Sequence, residues 1–178
     1  SANFEYHPNL DAVGFLVSEI WPAVKKAHPE LRLRLVGRGD AFIRHLIPPG
    51  LDIELTGPVD DAFSEIAAAR LVIAPLRAGS GTRIKILEAW AARRPVVATP
   101  LAAEGLSLED GEQLILAEAP GAFAEAMNSL LSDPEARRRL GCSGRRLYEA
   151  KYTWQAAWRS LDSGLQMTAS SELNRYTE

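Results

Sequence analysis

"LVIAPLRAGSGTRIKILEAWAARRPVVAT" (residues 71–99) reads as a strand, a glycine-rich turn, a helix and a second strand. "LVIAP" (71–75) and "PVVAT" (95–99) are short continuous apolar runs, as expected of strands buried on both faces of a parallel sheet. The helix between them is predicted to begin near Thr82 and is built from Ile84, Ile86, Leu87, Ala89, Trp90, Ala91 and Ala92. It nevertheless keeps Lys85 and Glu88, opposite charges three residues apart on one face. A charge beside buried surface is costly unless something satisfies it. The plain alternative is an i,i+3 surface pair worth about 0.2–0.5 kcal/mol.

The same alternation extends in both directions. "ANFEY" is expected as a short first strand, and Pro8-Asn9 opens a helix through about Ala27 with Val13, Leu16, Val17, Ile20 and Val24 at helical spacing. "RLRLVG" (32–37) and "GLDIELTG" (50–57) read as strands, with a short helix near Ala41–Leu46 between them. Asp60 or Asp61 caps a helix to Ala69, "QLILA" (113–117) supplies a last strand, and Asp133-Pro134-Glu135 starts a helix. Thr153 restarts one as far as about Leu165. This predicts an α/β fold: a Rossmann-like, doubly wound parallel sheet of about six strands in the order 3-2-1-4-5-6. The domain spans 1–166, and 167–178 form a polar C-terminal tail.

Composition narrows the function. With 178 residues, 47% apolar and 24% charged, the chain is long enough for one globular core. A net charge of −3 offers nucleic acid no electrostatic footprint. One cysteine, Cys142, excludes an internal disulfide, and with His7, His28 and His45 scattered no metal site is expected. No run is long and apolar enough to cross a membrane and no leader pattern opens the chain, so a cytoplasmic location is expected. Arg137, Arg138, Arg139, Arg145 and Arg146 are read as a solvated helix face, with docking to an anionic membrane as the functional alternative. Trp90, Trp154 and Trp158 are read as core or helix-packing residues.

Ligands of doubly wound sheets bind outside the carboxyl ends of the strands, which points to the loop after the first strand, "GRGD" after the second and "LRAGSG" after the fourth. There "LRAGSG" carries Gly79 and Gly81, which permit close backbone approach, ahead of helix N–H groups that form an anion site. Arg77, Arg83 and Lys85 add positive charge around it. With Gly81, Lys85 and Glu88 on one face, the carboxylate is placed to accept hydrogen bonds from a vicinal diol such as a ribose. Two rival motifs fail. "GRGDAF" (37–42) has Phe42 at the third glycine of a dinucleotide fingerprint, and "GSGTRIK" lacks the ending of a P-loop. No nucleophile constellation is present.

"PLRAGSGTRIKILEAWAARRPVVATPLAAEGL" resembles the donor-binding, C-terminal half of GT-B-fold glycosyltransferases, in the retaining group called glycosyltransferase family 4 or glycosyl transferases group 1. The resemblance extends to "NFEYHPNLDAVGFLVSEIWPAV", "LRLVGRG", "LTGPVDD" and "YTW", covering residues 3–165. It implies that Glu88 holds the ribose hydroxyls, while Lys85 and the amides of Gly79, Ser80, Gly81 and Thr82 hold the donor diphosphate. Arg38 and Gly39 follow the second strand, and Val59 lies near the nucleobase. Lys85, with Arg83, is implied to stabilise the departing nucleoside diphosphate, so these two are the catalytic candidates.

The substrate implied is a nucleotide-diphosphate sugar such as a UDP- or GDP-sugar, with no further cofactor and no metal. A glycan or lipid-linked acceptor would be held by an N-terminal domain absent from this chain. Ser80 stands where many members have the first glutamate of Glu-x7-Glu, and "LAAEGL" replaces a usual glycine pair. Peripheral attachment to the inner face of the cell membrane is the alternative location. The rival readings are a sugar-nucleotide epimerase of the same shape and a non-catalytic nucleotide-binding or scaffold module.

Overall fold

The structure, a computed structural model, describes residues 2–79 and 83–159. Its first three strands are β1 (Ala2–Asn3), β2 (Leu33–Arg38) and β3 (Ile53–Gly57), and its last three are β4 (Val72–Ala74), β5 (Val96–Ala98) and β6 (Ile115–Leu116). All pairs are parallel, as the helical connections between strands require. The strands form two three-stranded sheets, β1-β2-β3 and β4-β5-β6. Each half agrees with the expected order, but among the described residues β1 and β4 do not pair, so the strands stand as two sheets and not as one of six. With two residues, β1 reaches only Gly37 and Arg38 at the end of β2 and cannot bridge to β4.

Helix α1 (His7–Phe15) runs through a π-helical turn (Leu16–Ile20) into α2 (Trp21–Ala27). The expected single helix is thus one rod with a wide turn in it. Pro22 has no N–H to offer the preceding turn, and the Trp21 amide reaches back to the Leu16 carbonyl. Ile20 and Val24 are wholly buried with Phe123 and Leu140, which come from α7 (Pro120–Ser132) and α8 (Pro134–Lys151).

A second cluster surrounds α5 (Ile84–Ala91), where Ile86, Ala89 and Trp90 are buried against Val96, Ala98 and Leu114. Trp90 donates to the Gln113 carbonyl at 3.0 Å, satisfying its one polar atom. Gly144 of α8 lies against the indole and Gly141 against the backbone of Arg93, so a Cβ at either position would overlap its neighbour. Two glycines therefore set how closely α8 lies on α5.

Caps fall where the sequence places them. Asp61 accepts from the amides of Phe63 and Ser64 to start α4 (Ala62–Ala68). Asp133 does the same for Glu135 and Ala136, both at 2.9 Å. Thr153 accepts from the Ala156 amide at 3.2 Å, ahead of helical residues 154–159.

Two expectations are corrected. Trp154 and Trp158 are 81% and 63% exposed, because only Ala156 of this last described turn faces the core. The arginines of α8 are not merely a solvated face. Arg137 donates to the carbonyls of Leu130 and Leu131 at the end of α7, and Arg145 to that of Ala91 at the end of α5. Each satisfies carbonyls that a helix leaves unpaired, with a charge that suits the negative end of the helix dipole.

Candidate functional site

At the carboxyl end of β4 the chain leaves the sheet through residues 75–79, and α5 begins after Arg83. Gly79 has φ +111°, and a Cβ there would stand 3.2–3.3 Å from the ring carbons of Pro8. Glycine thus lets this loop lie directly on the start of α1. Between the two loops is a pocket of about 240 Å³ whose walls include Tyr6, Pro8 and Asn9 on one side and Gly79, Arg83 and Lys85 on the other.

Lys85 sits in the first turn of α5, half-buried, with Nζ donating to Asn9 Oδ1 at 3.1 Å. Asn9 in turn donates from Nδ2 to the Asn3 carbonyl at 2.8 Å. That relay fixes which end of the amide faces the lysine, since an ammonium can only donate. Removal from water pulls the Lys85 pKa below the ordinary lysine value, and the charge of Glu88 partly opposes the shift. No carboxylate of the described residues comes within ion-pair distance of Lys85, so the i,i+3 pair with Glu88 is not made.

The two arginines of the loop are differently placed. Arg77 makes a bidentate pair with Asp11 at 2.7 and 3.1 Å and lies 4.4 Å over the Phe15 ring. Arg83 donates to both the backbone and the carboxylate of Glu104, the latter at 2.9 Å. Arg77 latches the loop to α1, and Arg83 ties it to the segment after α6 (Pro100–Ala103). Among the described residues, only Lys85 of the three faces the pocket without a carboxylate.

Of the expected site residues, the structure brings Gly79, Arg83 and Lys85 together around one pocket. Glu88 lies farther along α5, half-buried and outside that pocket's lining. Arg38 is exposed at the end of β2, and Gly39 adopts the left-handed conformation at φ +82°, close against Glu5. Val59 is half-buried after β3. None of these three lines the pocket. Ser80, Gly81 and Thr82 lie outside the described residues, as do Leu165 and the tail 167–178.

Sequence reading took Pro8 and Asn9 only as a helix start and passed over Tyr6. The rule that sites gather at strand ends named the loop after the first strand, and that was the available signal. Among the described residues, no group of three or more histidine, cysteine or acidic side chains could hold a metal ion, and no helix is long and apolar enough to cross a membrane.

The family model for glycosyl transferases group 1 matches residues 2–133. Phosphatidyl-myo-inositol mannosyltransferase of Mycobacterium leprae is 34% identical over 139 residues, which are 75% of this chain and 37% of that protein. The chain spans about a third of the length of the curated relatives it matches. In fold, it is similar to Anabaena HepE crystallised with UDP and glucose, at TM-score 0.67 and 20% identity over 82% of this chain and 43% of that one. It is also similar to the C-terminal domain of a group 1 family protein, LpcC, from Francisella tularensis, at TM-score 0.65 and 20% identity over 84% of this chain and 82% of that one. With this pocket at its strand ends, this fold, and that family's model matched over residues 2–133, the chain belongs to the glycosyl transferases group 1.

Proposed function

We propose that the chain is the donor-binding domain of a glycosyltransferase that moves a hexosyl group from a nucleotide-diphosphate sugar to a glycan or lipid-linked acceptor, with retention. The observation that carries this reading is Lys85, a half-buried ammonium at a glycine-lined pocket whose described partner is the neutral Asn9 side chain. Such a cation is poised for an anion. The diphosphate of the donor fits between Lys85 and the loop backbone, and Glu88 holds the ribose diol.

As the sugar C1–O bond breaks, its electron pair leaves with the nucleoside diphosphate, and Lys85 with the helix amides stabilises that charge. Arg83 shares in this role only if the donor draws it from Glu104. Ser80, Gly81 and Thr82 would contribute amides, Arg38 and Gly39 after β2 would contact the donor, and Val59 would lie near the nucleobase. HepE, whose structure holds UDP and glucose, supports a nucleotide-sugar donor. The acceptor would be held by a further domain, in the cytoplasm or at the inner membrane face, with no metal required.

Calorimetric titration with UDP and GDP tests the site. Binding should weaken about tenfold or more in both Lys85→Ala and Glu88→Ala, as loss of a charged hydrogen bond implies. Unchanged affinity in both variants would remove the assignment.

A further inference from the structure

Asn9 lies in the first turn of α1, yet its side chain makes no hydrogen bond within that helix. An asparagine inside a helix is unfavourable relative to alanine, because its side chain competes with the backbone. Here both ends of the amide turn outward. Nδ2 donates at 2.8 Å to the Asn3 carbonyl of β1, and Oδ1 accepts at 3.1 Å from Lys85 Nζ, across 76 positions of sequence.

The anchored end of this clamp is firm. Asn3 pairs with Arg38 of β2, and the Phe4 amide extends that ladder to the Arg38 carbonyl at 3.0 Å. Phe4 is buried, and Pro8, the neighbour of Asn9, lies against the Gly79 loop. Asn9 is therefore tied to a strand on one side while it reaches the first turn of α5 on the other. An ammonium has three N–H bonds to give. Asn9 takes one, and among the described residues the other two meet no protein acceptor.

The residue type matters at this position. Alanine would supply neither bond. Aspartate would accept from Lys85, but it has no N–H for the Asn3 carbonyl and would compensate the ammonium. Arg83, the other cation in the pocket wall, is already paired with Glu104. A carboxylate at position 9 would thus leave the pocket wall with no uncompensated cation among the described residues.

We propose that Asn9 is the positioning residue of the anion site, a neutral amide clamped to β1 that holds Lys85 Nζ at the pocket and leaves its charge for the ligand. The inference rests on the donor reading above and assigns to that site a residue acting through Lys85.

The test is a double-mutant cycle read by calorimetric titration with UDP and GDP. The parent chain, Asn9→Ala, Lys85→Met and the double variant are compared. Each single substitution should weaken binding about tenfold or more. The double variant should bind within about twofold of Lys85→Met, since Asn9 has nothing left to position. Losses that multiply in the double variant overturn the proposal, because Asn9 would then support the fold and not the lysine. Parent-like binding by Asn9→Ala, with the loss in Lys85→Met intact, also sinks it and leaves the donor reading standing. Parent-like binding by Lys85→Met, or no binding by the parent, removes the donor reading and this inference with it. Should Asn9→Ala fail to fold, Asn9→Asp, of the same size, decides. Its binding should fall about tenfold or more while proton–nitrogen NMR still shows the Lys85 ammonium hydrogen-bonded. Parent-like binding, or loss of that signal, refutes the assignment.

Discussion

The Lys85 ammonium is hydrogen-bonded at 3.1 Å to the Asn9 side-chain oxygen, joining the first turn of α5 to the start of α1. A neutral acceptor holds a cation that burial disfavours. Replacing Lys85 by methionine should therefore stabilise the unliganded domain by on the order of 1 kcal/mol while reducing nucleotide affinity about tenfold or more. Urea unfolding and calorimetry on the same variant would show this opposition. A structural lysine would instead lose stability when replaced.

Alkaline stability follows from the same group. Its folded pKa lies below the unfolded value, so between the two the unfolded chain holds the extra proton and stability rises with pH. Below the folded value the full cost of the buried charge is present. The gain should be read as the difference between the parent and Lys85→Met, which isolates the contribution of this one group. Nucleotide affinity should fall over the same rise in pH, as the ammonium is lost.

Asp11 moves the opposite way. The hydrogen bond from Arg77 is the main cause that lowers its pKa. The stability it contributes is present above the ordinary carboxylate pKa and is lost as pH falls through the lowered folded value. Asp11→Asn should cost about 1 kcal/mol at neutral pH, the upper range for an exposed pair, and progressively less in acid. It should also raise nucleotide KD by freeing the loop that carries Gly79, which isothermal titration would detect.

Gly79→Ala should fail in a different manner. The methyl group would meet Pro8 at 3.2 Å while holding a φ of +111° that L side chains rarely adopt. Expected is loss of nucleotide binding with about 1–2 kcal/mol of destabilisation.

Helix packing supplies a control. Gly144→Ala drives a methyl group into the Trp90 indole and should destabilise by about 1–3 kcal/mol. Gly14→Ala, with nothing within 4 Å of the added carbon, should stabilise α1 by about 0.5–1 kcal/mol. Chemical denaturation of the pair distinguishes steric conflict from helix propensity.

Much of this was written locally in the chain. Continuous runs such as "LVIAP" and "PVVAT" specify strands because a two-sided buried strand has no polar face to show. Asp61, Asp133 and Thr153 specify helix starts because each side chain satisfies nearby amides. Lys85 was visible as an anomaly because charge is costly beside an apolar face.

Tertiary structure alone decided which partners those residues met. That Arg77 turns to Asp11 and Arg83 to Glu104, leaving Lys85 to Asn9, depends on residues 66, 21 and 76 positions away in sequence. Periodicity carries no record of such encounters. The same holds for Arg137 and Arg145, whose charges meet helix ends that only folding brings near, and for Trp154 and Trp158, apolar residues that no element among the described residues covers. Sequence fixes what each side chain can do; the packing of distant elements determines which of those capacities is used.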